Sequence, residues 1–312
     1  MILSIVIPVY NEADSLPELY ASLISGLENC NGLGVKNYEI WFVSDGSTDG
    51  SEDIIKEMIK MDKKVHLVSF RKNFGKAAAL QAGFQYVEGD IVVTMDSDLQ
   101  DDPAEIRDML VKLEEGYDMV SGWKVDRQDP LEKTLPSKLF NRVTASASGI
   151  KLHDFNCGFK AYRKEVIKSI DLYGELHRYI PILAHRKGFR IAEIRVTNHK
   201  RKYGKSKYGV ERYLRGLFDS LTTSFLSKYY DRPMHFFGRI GFVLLLVGFI
   251  ICAALTVQWF MGYSIGNRPL LILGILCIIL GVQSVATGFL GDLIVDATWS
   301  SRKNEGHIKE II

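Results

Sequence analysis

The chain has 312 residues, of which 24% are charged, and its formal net charge is +2. This length allows one large α/β domain and a smaller module, and the balanced charge gives no indication of a nucleic-acid partner. The four cysteines form no CxxC pair and no closely spaced framework. They indicate structural thiols in a reducing compartment rather than a disulfide-rich domain.

The N-terminal segment from Met1 to Pro8 is mostly apolar. A secretory signal has a basic region followed by a longer apolar run, and this segment has neither. We therefore predict a buried strand here.

The first part of the chain alternates short apolar runs with segments of helical periodicity, such as those that begin at Ser15 and at Lys76. Short buried strands that alternate with helices are typical of a mostly parallel sheet with helices on both faces. The fold class we predict is therefore α/β. The predicted strands are 3–8, 38–43, 65–70, 91–95 and 119–121.

A polar cluster directly follows each of three predicted strands. The carboxyl ends of parallel strands lie at one edge of a sheet, where α/β proteins bind ligands, so we expect the clusters to converge. Neither a GxGxxG loop nor a GxxxxGK[ST] loop is present, which argues against a dinucleotide oxidoreductase and a P-loop NTPase. The clusters are Tyr10-Asn11-Glu12, Asp45-Gly46-Ser47 and Asp96-Ser97-Asp98.

The third cluster presents two carboxylates one residue apart at the end of a buried strand. Carboxylate oxygens suit Mg²⁺ or Mn²⁺ carrying a diphosphate, and Gln100 offers another oxygen. The candidate metal ligands are therefore Asp98, Gln100 and Asp96. An ordinary acidic turn is the alternative. Asp101 and Asp102 precede Pro103 and are expected to begin the next helix.

Three motifs in this order resemble the family 2 glycosyltransferases of the GT-A fold: Ile7-Pro-Val-Tyr-Asn-Glu12, Asp45-Gly-Ser-Thr-Asp49 and Asp96-Ser-Asp-Leu-Gln100. The resemblance implies a Rossmann-like domain that binds a nucleotide sugar, with Asp96 near the ribose or sugar and Asp98 on the metal. For Ser47, Thr48 and Asp49 a turn-forming role is the alternative. The nucleotide-sugar-binding residues implied are Pro8, Tyr10, Asn11, Glu12, Asp45, Lys76, Asp96, Ser97 and Asp98.

Later motifs resemble the polyprenyl-phosphate hexose synthases, the group of dolichyl-phosphate mannose synthases and bacterial polyprenyl-phosphate glucosyltransferases. The motifs are Asp126-Arg-Gln-Asp129, Ser137-Lys-Leu-Phe-Asn-Arg142, Leu152-His-Asp-Phe-Asn-Cys-Gly-Phe-Lys-Ala-Tyr162 and Arg201-Lys-Tyr-Gly-Lys-Ser-Lys207. This resemblance implies a polyprenyl phosphate acceptor and covers nearly the entire chain.

Basic residues are the candidates for holding an acceptor phosphate. Lys124, Arg127 and Arg142 are expected to grip it, because arginine suits bidentate phosphate contacts. Arg201 and Lys207 are expected either to bind the same phosphate or to close over the donor diphosphate. The resemblance places Asp154 near the reacting carbon of the sugar, as a base or as a residue that orients the acceptor, and a purely structural role is the alternative.

These features predict an enzyme that transfers a hexose with inversion from a nucleotide sugar, with UDP-glucose favoured, to a polyprenyl phosphate. The inversion is implied by the resemblance, and the product is then a polyprenyl-phosphate β-hexose. A GDP-mannose-dependent dolichyl-phosphate mannose synthase and a polysaccharide glycosyltransferase are enzymatic alternatives. A membrane scaffold with a vestigial nucleotide-sugar site is the non-enzymatic one.

The segment 195–232 contains ten Lys or Arg and three acidic residues, a local charge of +7. Each basic residue near an anionic leaflet contributes about 1 kcal/mol to membrane binding. Apolar residues recur here at helical spacing, which predicts an amphipathic helix along the membrane surface. They are Val210, Tyr213, Leu214, Leu217, Leu221 and Phe225.

The segment 236–291 contains only two charged residues, Arg239 and Arg268. Its two apolar spans, about 236–261 and 269–291, are each long enough to cross a hydrocarbon core of about 30 Å. The short connection predicts a transmembrane hairpin. Most flanking basic residues lie outside the loop, so the positive-inside rule predicts cytosolic termini and a cytosolic catalytic domain, at a bacterial inner membrane.

We therefore predict a cytosolic catalytic domain (1–208), a juxtamembrane amphipathic segment (209–232) and a hairpin with a short cytosolic tail (233–312). Glycines recur every seven residues in the spans, which allows helix backbones to approach closely. The stripe serves either the hairpin itself or contacts between protomers of a homo-oligomer. Its members are Gly241, Gly248, Gly274, Gly281 and Gly288.

Overall fold

The computed structural model describes residues 1–125, 145, 149–174, 176–200, 202–203, 225, 229, 232–264 and 269–301. These residues belong to two compact units, one within Met1–Thr223 and the other within Ser224–Asn304. Most of the predicted amphipathic segment, and the candidate phosphate ligands Arg127, Arg142, Arg201 and Lys207, lie outside the described residues.

The first unit contains a seven-stranded sheet with helices. Its strands are β1 (Ile2–Val9), β2 (Asn37–Ser44), β3 (Val65–Ser69), β4 (Ile91–Thr94), β5 (Met119–Lys124), β6 (Lys160–Arg163) and β7 (Ile191–Val196). Its helices are α1 (Leu16–Glu28), α2 (Ser51–Met61), α3 (Lys76–Tyr86), α4 (Ile106–Glu114), α5 (Lys164–Ser169) and α6 (Ile180–Arg186). Two 3₁₀ turns, Pro103–Glu105 and Leu176–Tyr179, precede α4 and α6.

The sheet is mixed but mostly parallel, in the order β3-β2-β1-β4-β6-β5-β7. The strand β1 is parallel to both of its neighbours, β2 and β4, and β2 is also parallel to β3. At the other end of the sheet, β5 is parallel to β7. The strand β6 is antiparallel to both of its neighbours, β4 and β5. The predicted α/β class is confirmed. The sequence patterns did not predict β6 or β7.

Apolar side chains from the sheet and from α1 and α4 form the core. Leu16, Leu19 and Leu23 recur every three or four residues on α1 and are fully buried, which is the spacing of one helix face. They join the inward-facing residues of β1 and the buried face of α4 in one cluster. This packing fixes the carboxyl ends of β1, β2 and β4 relative to one another.

The second unit is a hairpin of two long apolar helices, α7 (Pro233–Phe260) and α8 (Pro269–Ser301). Both are long and apolar enough to cross a membrane, and only 17% of the 18-residue apolar stretch of each helix is buried within the protein. The predicted hairpin is confirmed. The second helix continues past the predicted end of its span, and its Asp292 side chain accepts a hydrogen bond from Met234 N at the start of α7 (3.1 Å).

The glycine stripe lines the contact between the two helices. A Cβ atom on Gly241 would lie 2.8 Å from Gly281 O, and one on Gly248 would lie 2.7 Å from Gly274 O. Only glycine permits this close approach of the backbones. Of the two uses left open by the sequence, packing within the hairpin is therefore the one observed, and homo-oligomer formation stays a prediction.

Candidate active site

The loops after β1 and β2 are joined by side-chain hydrogen bonds. Asn11 Oδ1 accepts a hydrogen bond from Thr48 N (2.7 Å), and Asn11 N donates to Ser47 Oγ (3.1 Å). Asp49 accepts hydrogen bonds from Ala13 N and from its own loop. The first two predicted clusters therefore converge as expected, and Ser47, Thr48 and Asp49 take the turn-forming role.

Two residues of the site have a left-handed backbone. Among the described residues, Asn11 (φ 54°) and Leu99 (φ 60°) are the non-glycine residues with positive φ. Such backbone costs energy for a residue with a Cβ atom, and it is concentrated at functional sites. Asn11 tolerates it through its side-chain hydrogen bonds. Leu99 lies between Asp98 and Gln100, so the turn is strained where the candidate metal ligands lie.

Asp45 anchors the loop that leads into α3. Its buried carboxylate accepts hydrogen bonds from Phe74 N (2.6 Å) and Gly75 N (2.9 Å). Burial raises the pKa of Asp45, and the two backbone N–H groups partly offset that rise. Asp45 thereby positions Lys76, the first residue of α3. Its predicted contact with the nucleotide stays a prediction.

Lys76 and Asp96 form an ion pair at the carboxyl edge of the sheet. Lys76 Nζ donates to Asp96 Oδ1, and the two side chains are 31% and 33% exposed. Burial alone would raise the pKa of Asp96, but the neighbouring ammonium groups, Lys76 foremost with Lys124 and Lys160, together outweigh it and lower that pKa to about 2. A cation in the first turn of a helix is electrostatically unfavourable. Its presence in α3 is explained by the carboxylate that it faces.

Gly158 lies directly behind Asp96. A Cβ atom at this position would lie 2.7 Å from Asp96 Oδ2 and 2.8 Å from Oδ1. The Gly158 carbonyl also accepts a hydrogen bond from Thr94 Oγ1 (2.9 Å), which joins the segment to β4. The Asp96 carboxylate can occupy its position only because residue 158 has no side chain.

Asp98 and Gln100 are joined by a tight turn. Asp98 is buried, and its Oδ1 accepts a hydrogen bond from Gln100 N (3.2 Å). The Gln100 side-chain amide donates to His199 O (3.4 Å). Ser97 is also buried, and its carbonyl accepts a hydrogen bond from Ser15 Oγ (2.8 Å) at the start of α1. These contacts hold the turn after β4 in one conformation.

The donor chemistry of this turn fits a divalent cation. The carboxylates of Asp96 and Asp98 supply hard oxygens, as does the Gln100 amide. Within the described residues no group of three His, Cys, Asp or Glu is arranged to hold a metal ion unaided. Mg²⁺ is often held by one or two carboxylates together with substrate phosphates, and a metal at this turn stays a prediction.

Asp101 and Lys124 form a buried ion pair that the sequence patterns did not predict. Lys124 Nζ lies 2.6 Å from Asp101 Oδ1, and Asp96 N donates to Asp101 Oδ2 (3.2 Å). Burial lowers the pKa of Lys124, and the neighbouring acidic groups, Asp101 foremost, together outweigh this and raise it. The expectation that Asp101 begins a helix is wrong, because Asp102 alone caps the Pro103 turn, through Ala104 N (2.9 Å). The predicted contact of Lys124 with the acceptor phosphate stays a prediction.

A buried lysine on β6 connects Asp96 electrostatically with Asp154. Lys160 is 2% exposed, and its Nζ donates to Cys157 O. Burial lowers its pKa, as does Lys76, whereas Asp154 and Asp96 act in the opposite direction. Sequence reasoning gave Lys160 no role, although a lysine between the apolar residues Phe159 and Ala161 was a signal that could have found it.

Asp154 is 2% exposed and lies in a turn before β6. Its Oδ1 accepts a hydrogen bond from Asn156 N (3.0 Å), and its own N–H donates to Glu193 Oε1 (2.9 Å). The charges of Asp154 and Asp96 both act on Lys160, and the predicted part of Asp154 in the site stays a prediction. Of the other predicted residues, Tyr10 is exposed, and Pro8 and Glu12 are partly buried.

The sheet and its strand-end clusters agree with a glycosyltransferase of the GT-A fold. The profile of the family described as Glycosyl transferase family 2 matches residues 4–171. The chain belongs to this family, and it is an enzyme of the glycosyltransferase class.

Curated relatives align with nearly the whole chain. The dodecaprenyl-phosphate galacturonate synthase of Rhizobium johnstonii is 36% identical over 94% of this chain and 87% of its own length. The undecaprenyl-phosphate 4-deoxy-4-formamido-L-arabinose transferase of Shewanella sediminis is 36% identical over 93% of this chain and 86% of its own length. Both names describe the attachment of a sugar to a polyprenyl phosphate.

Solved structures share the fold at lower identity. Glucosyl-3-phosphoglycerate synthase from Mycobacterium tuberculosis, in complex with Mn²⁺, UDP and glucosyl-3-phosphoglycerate, superposes with a TM-score of 0.53 at 18% identity. That comparison covers 72% of this chain and 79% of the other. The same enzyme in complex with Mg²⁺ and UDP gives a TM-score of 0.54 at 19% identity, with coverage of 72% and 78%.

Proposed function

We propose that this protein transfers a sugar from a nucleotide sugar to a polyprenyl phosphate at the membrane surface. The carrying observation is the paired Lys76 and Asp96, next to Asp98, at the edge where the loops of β1 and β2 converge. The two-helix apolar hairpin supports a lipid acceptor, because it anchors the chain where such an acceptor resides. The full-length alignment with two polyprenyl-phosphate sugar enzymes supports it independently.

The proposed reaction is one inverting displacement. An oxygen of the lipid phosphate forms a bond to the anomeric carbon, the bond from that carbon to the diphosphate breaks, and its electron pair leaves with the nucleoside diphosphate. A phosphate acceptor is already anionic at pH 7, so no strong base is required. The protein contributes by orienting both substrates and by stabilising the charge that develops on the leaving group.

Each residue of the site has a proposed part in this reaction. Asp96 orients the ribose or the sugar, and Lys76 fixes the Asp96 carboxylate. Asp154 orients the acceptor or acts as a base. The loops that carry Tyr10 and Asp45 hold the nucleotide, and the strained turn presents Asp98 and Gln100. Lys124 and the basic residues 127, 142, 201 and 207 remain the proposed phosphate ligands.

A bound Mg²⁺ or Mn²⁺ would neutralise the departing diphosphate. Asp98, Gln100 and Asp96 would hold it, with oxygens of the substrate diphosphate completing the shell. The strained backbone at Leu99, between Asp98 and Gln100, supports this assignment, because such strain is concentrated at functional sites.

A UDP-sugar is the proposed donor, and UDP-glucose is the UDP-sugar favoured from the sequence. The names of the two relatives specify galacturonate and 4-deoxy-4-formamido-L-arabinose, so the donor panel must include uronate and formamidopentose donors as well as GDP-mannose. The proposed orientation has both termini and the first unit in the cytosol, on the bacterial inner membrane. A reporter that is active only in the cytosol, fused after Ile312, tests this orientation, and an inactive fusion contradicts it.

The test of the function uses the full chain in detergent with Mg²⁺, undecaprenyl phosphate and each radiolabelled donor in turn. We expect label in the lipid fraction with one donor class, and an anomer-resolving NMR spectrum that shows a β-linkage from an α-linked donor. We also expect Asp98→Asn to lower turnover at least about a hundredfold, since carboxylate ligation to the metal is lost. Asp108→Asn, at an exposed aspartate of α4, is the matched control.

The outcomes separate the alternatives. No lipid-linked label with any donor contradicts the proposed function and favours the scaffold. Label in a polymer supports the polysaccharide synthase instead. Full turnover of Asp98→Asn contradicts the metal assignment while leaving the transfer reaction intact.

A further inference from the structure

The turn that carries Asp154 is held by a carboxylate from an edge strand of the sheet. Glu193 lies on β7 and only 9% of its side chain is exposed. Its Oε1 accepts hydrogen bonds from His153 N (2.9 Å) and Asp154 N (2.9 Å), and its Oε2 lies 3.1 Å from His153 N. Two successive backbone N–H groups thus converge on one carboxylate.

The same turn is fixed from a second side by its histidine ring. His153 Nδ1 lies 2.7 Å from Glu193 Oε2. The ring also stacks on Trp123, with ring centroids 4.0 Å apart and planes inclined by 11°, and Arg195 covers the Trp123 ring at 5.3 Å. The contacts join the turn to β5 and β7, which are paired in parallel register. The turn is therefore attached to the rigid sheet.

We propose that Glu193 is a positioning residue for Asp154, the group assigned above to the acceptor; this inference rests on the proposed function. A hydrogen bond to a charged acceptor contributes more than a neutral one, and Glu193 provides several to two adjacent peptide groups. Loss of the carboxylate releases the backbone that sets the Asp154 carboxylate in place. A displacement of about 1 Å at a reacting group lowers turnover by about a hundredfold.

Four variants test this role in the full chain. Glu193→Ala removes the acceptor. Glu193→Gln keeps one side-chain oxygen. This oxygen can still accept hydrogen bonds from His153 N and Asp154 N, which both donate to Oε1 in the wild type. His153→Ala removes the ring contacts but keeps its backbone N–H. Asp118→Ala is the matched control, because Asp118 Oδ2 accepts a hydrogen bond from Arg190 N (2.7 Å), just before β7, and touches no candidate residue.

We expect Glu193→Ala to lower kcat at least about tenfold while the KM for the donor changes by less than about threefold. Glu193→Gln should restore kcat to within about threefold of wild type, and Asp118→Ala should leave kcat unchanged. A lower kcat with a nearly unchanged KM in Glu193→Ala, together with recovery of kcat in Glu193→Gln, distinguishes a positioning role from a general loss of folded protein. An unchanged kcat in Glu193→Ala overturns the proposal.

A double variant tests whether Glu193 acts through Asp154. If it does, adding Glu193→Ala to Asp154→Asn lowers kcat by no more than about twofold further, because the displaced group no longer functions. Losses that multiply show that Glu193 acts elsewhere and overturn the proposal. An Asp154→Asn variant with wild-type turnover overturns it as well.

Hydrogen exchange separates this proposal from the proposed function. The amides of His153 and Asp154 should exchange at least about tenfold faster in Glu193→Ala than in wild type, and unchanged protection overturns the anchoring role. Transfer activity is not needed for this measurement. A wild-type protein that labels no lipid with any donor therefore contradicts the function, and the catalytic part of the Glu193 proposal with it. The exchange rates still show whether Glu193 anchors the turn of His153 and Asp154.

Discussion

Replacement of Gly158 by alanine is expected to displace the Asp96 carboxylate. The new Cβ atom would lie 2.7 Å from Asp96 Oδ2, whereas ordinary contact begins at 3.4 Å, so the two groups must separate by about 0.7 Å. The carboxylate cannot retreat without disturbing its ion pair with Lys76. The neighbouring segment is also held, because Thr94 Oγ1 donates to the Gly158 carbonyl.

The magnitude follows from this displacement. A misplacement of about 1 Å lowers turnover by about a hundredfold, so about 0.7 Å should lower kcat by between about ten- and a hundredfold. Overpacking of a close contact costs about 1–3 kcal/mol of folding free energy. The variant should therefore fold, with lower stability, and should bind its substrates in a less productive geometry.

The assay compares kcat, the donor KM and the thermal unfolding midpoint of Gly158→Ala with those of Gly32→Ala. Gly32 has φ of 105°, and a Cβ atom added to it would have no heavy atom within 4 Å, so alanine there strains the backbone without touching the site. That strain costs about 1–2 kcal/mol. We expect comparable destabilisation in both variants and loss of turnover only in Gly158→Ala. Wild-type kinetics in Gly158→Ala would refute the reasoning.

Two further substitutions test the ion pair and the hairpin. Lys76→Met should destabilise the protein by about 1–2 kcal/mol at pH 7, a value discounted for partial exposure. Because the pKa of Asp96 is depressed to about 2, this destabilisation should shrink as pH falls from about 4 towards 2. The exposed pair of Lys56 and Asp53 supplies the control variant Lys56→Met, which should destabilise the protein less than Lys76→Met does at pH 7. If the destabilisation by Lys76→Met does not change with pH, the assigned ion pair with Asp96 is contradicted. Gly281→Leu should destabilise the hairpin by at least about 1–3 kcal/mol in an SDS titration followed by circular dichroism, because a Cβ atom added at this position would lie 2.9 Å from Gly241 O. Ile279→Leu, on the exposed face, should stay within about 0.5 kcal/mol of wild type, and equal effects of the two changes would show that the glycine contact is unimportant.

Local patterns were sufficient to predict the first four strands and the convergence of their polar ends. Apolar runs bounded by polar turns are local signals, and a parallel sheet brings such ends to one edge without further information. The hairpin was equally accessible, because length and lack of charge identify it. The strand β6 was not, since four residues carry little periodic signal and its place between β4 and β5 depends on contacts distant in sequence.

Buried charges were the least predictable part of the site. Asp101 and Asp102 both fit the start of a helix before a proline, and only the fold determines that one caps the turn and the other pairs with Lys124. Glu193 gave no signal either, because an acidic residue in a strand normally faces solvent. Its role depends on a turn about forty residues away in the chain. Such pairs are set by tertiary contacts, which propensity and spacing do not encode.

The close contact between α7 and α8 has a consequence for the fate of the product. The glycines bring backbone against backbone, so the hairpin encloses no passage between its two helices along their contact. On the proposed function, the lipid-linked sugar remains in the leaflet where it forms. We therefore expect a sugar needed on the opposite side of the membrane to require a separate protein that flips the lipid.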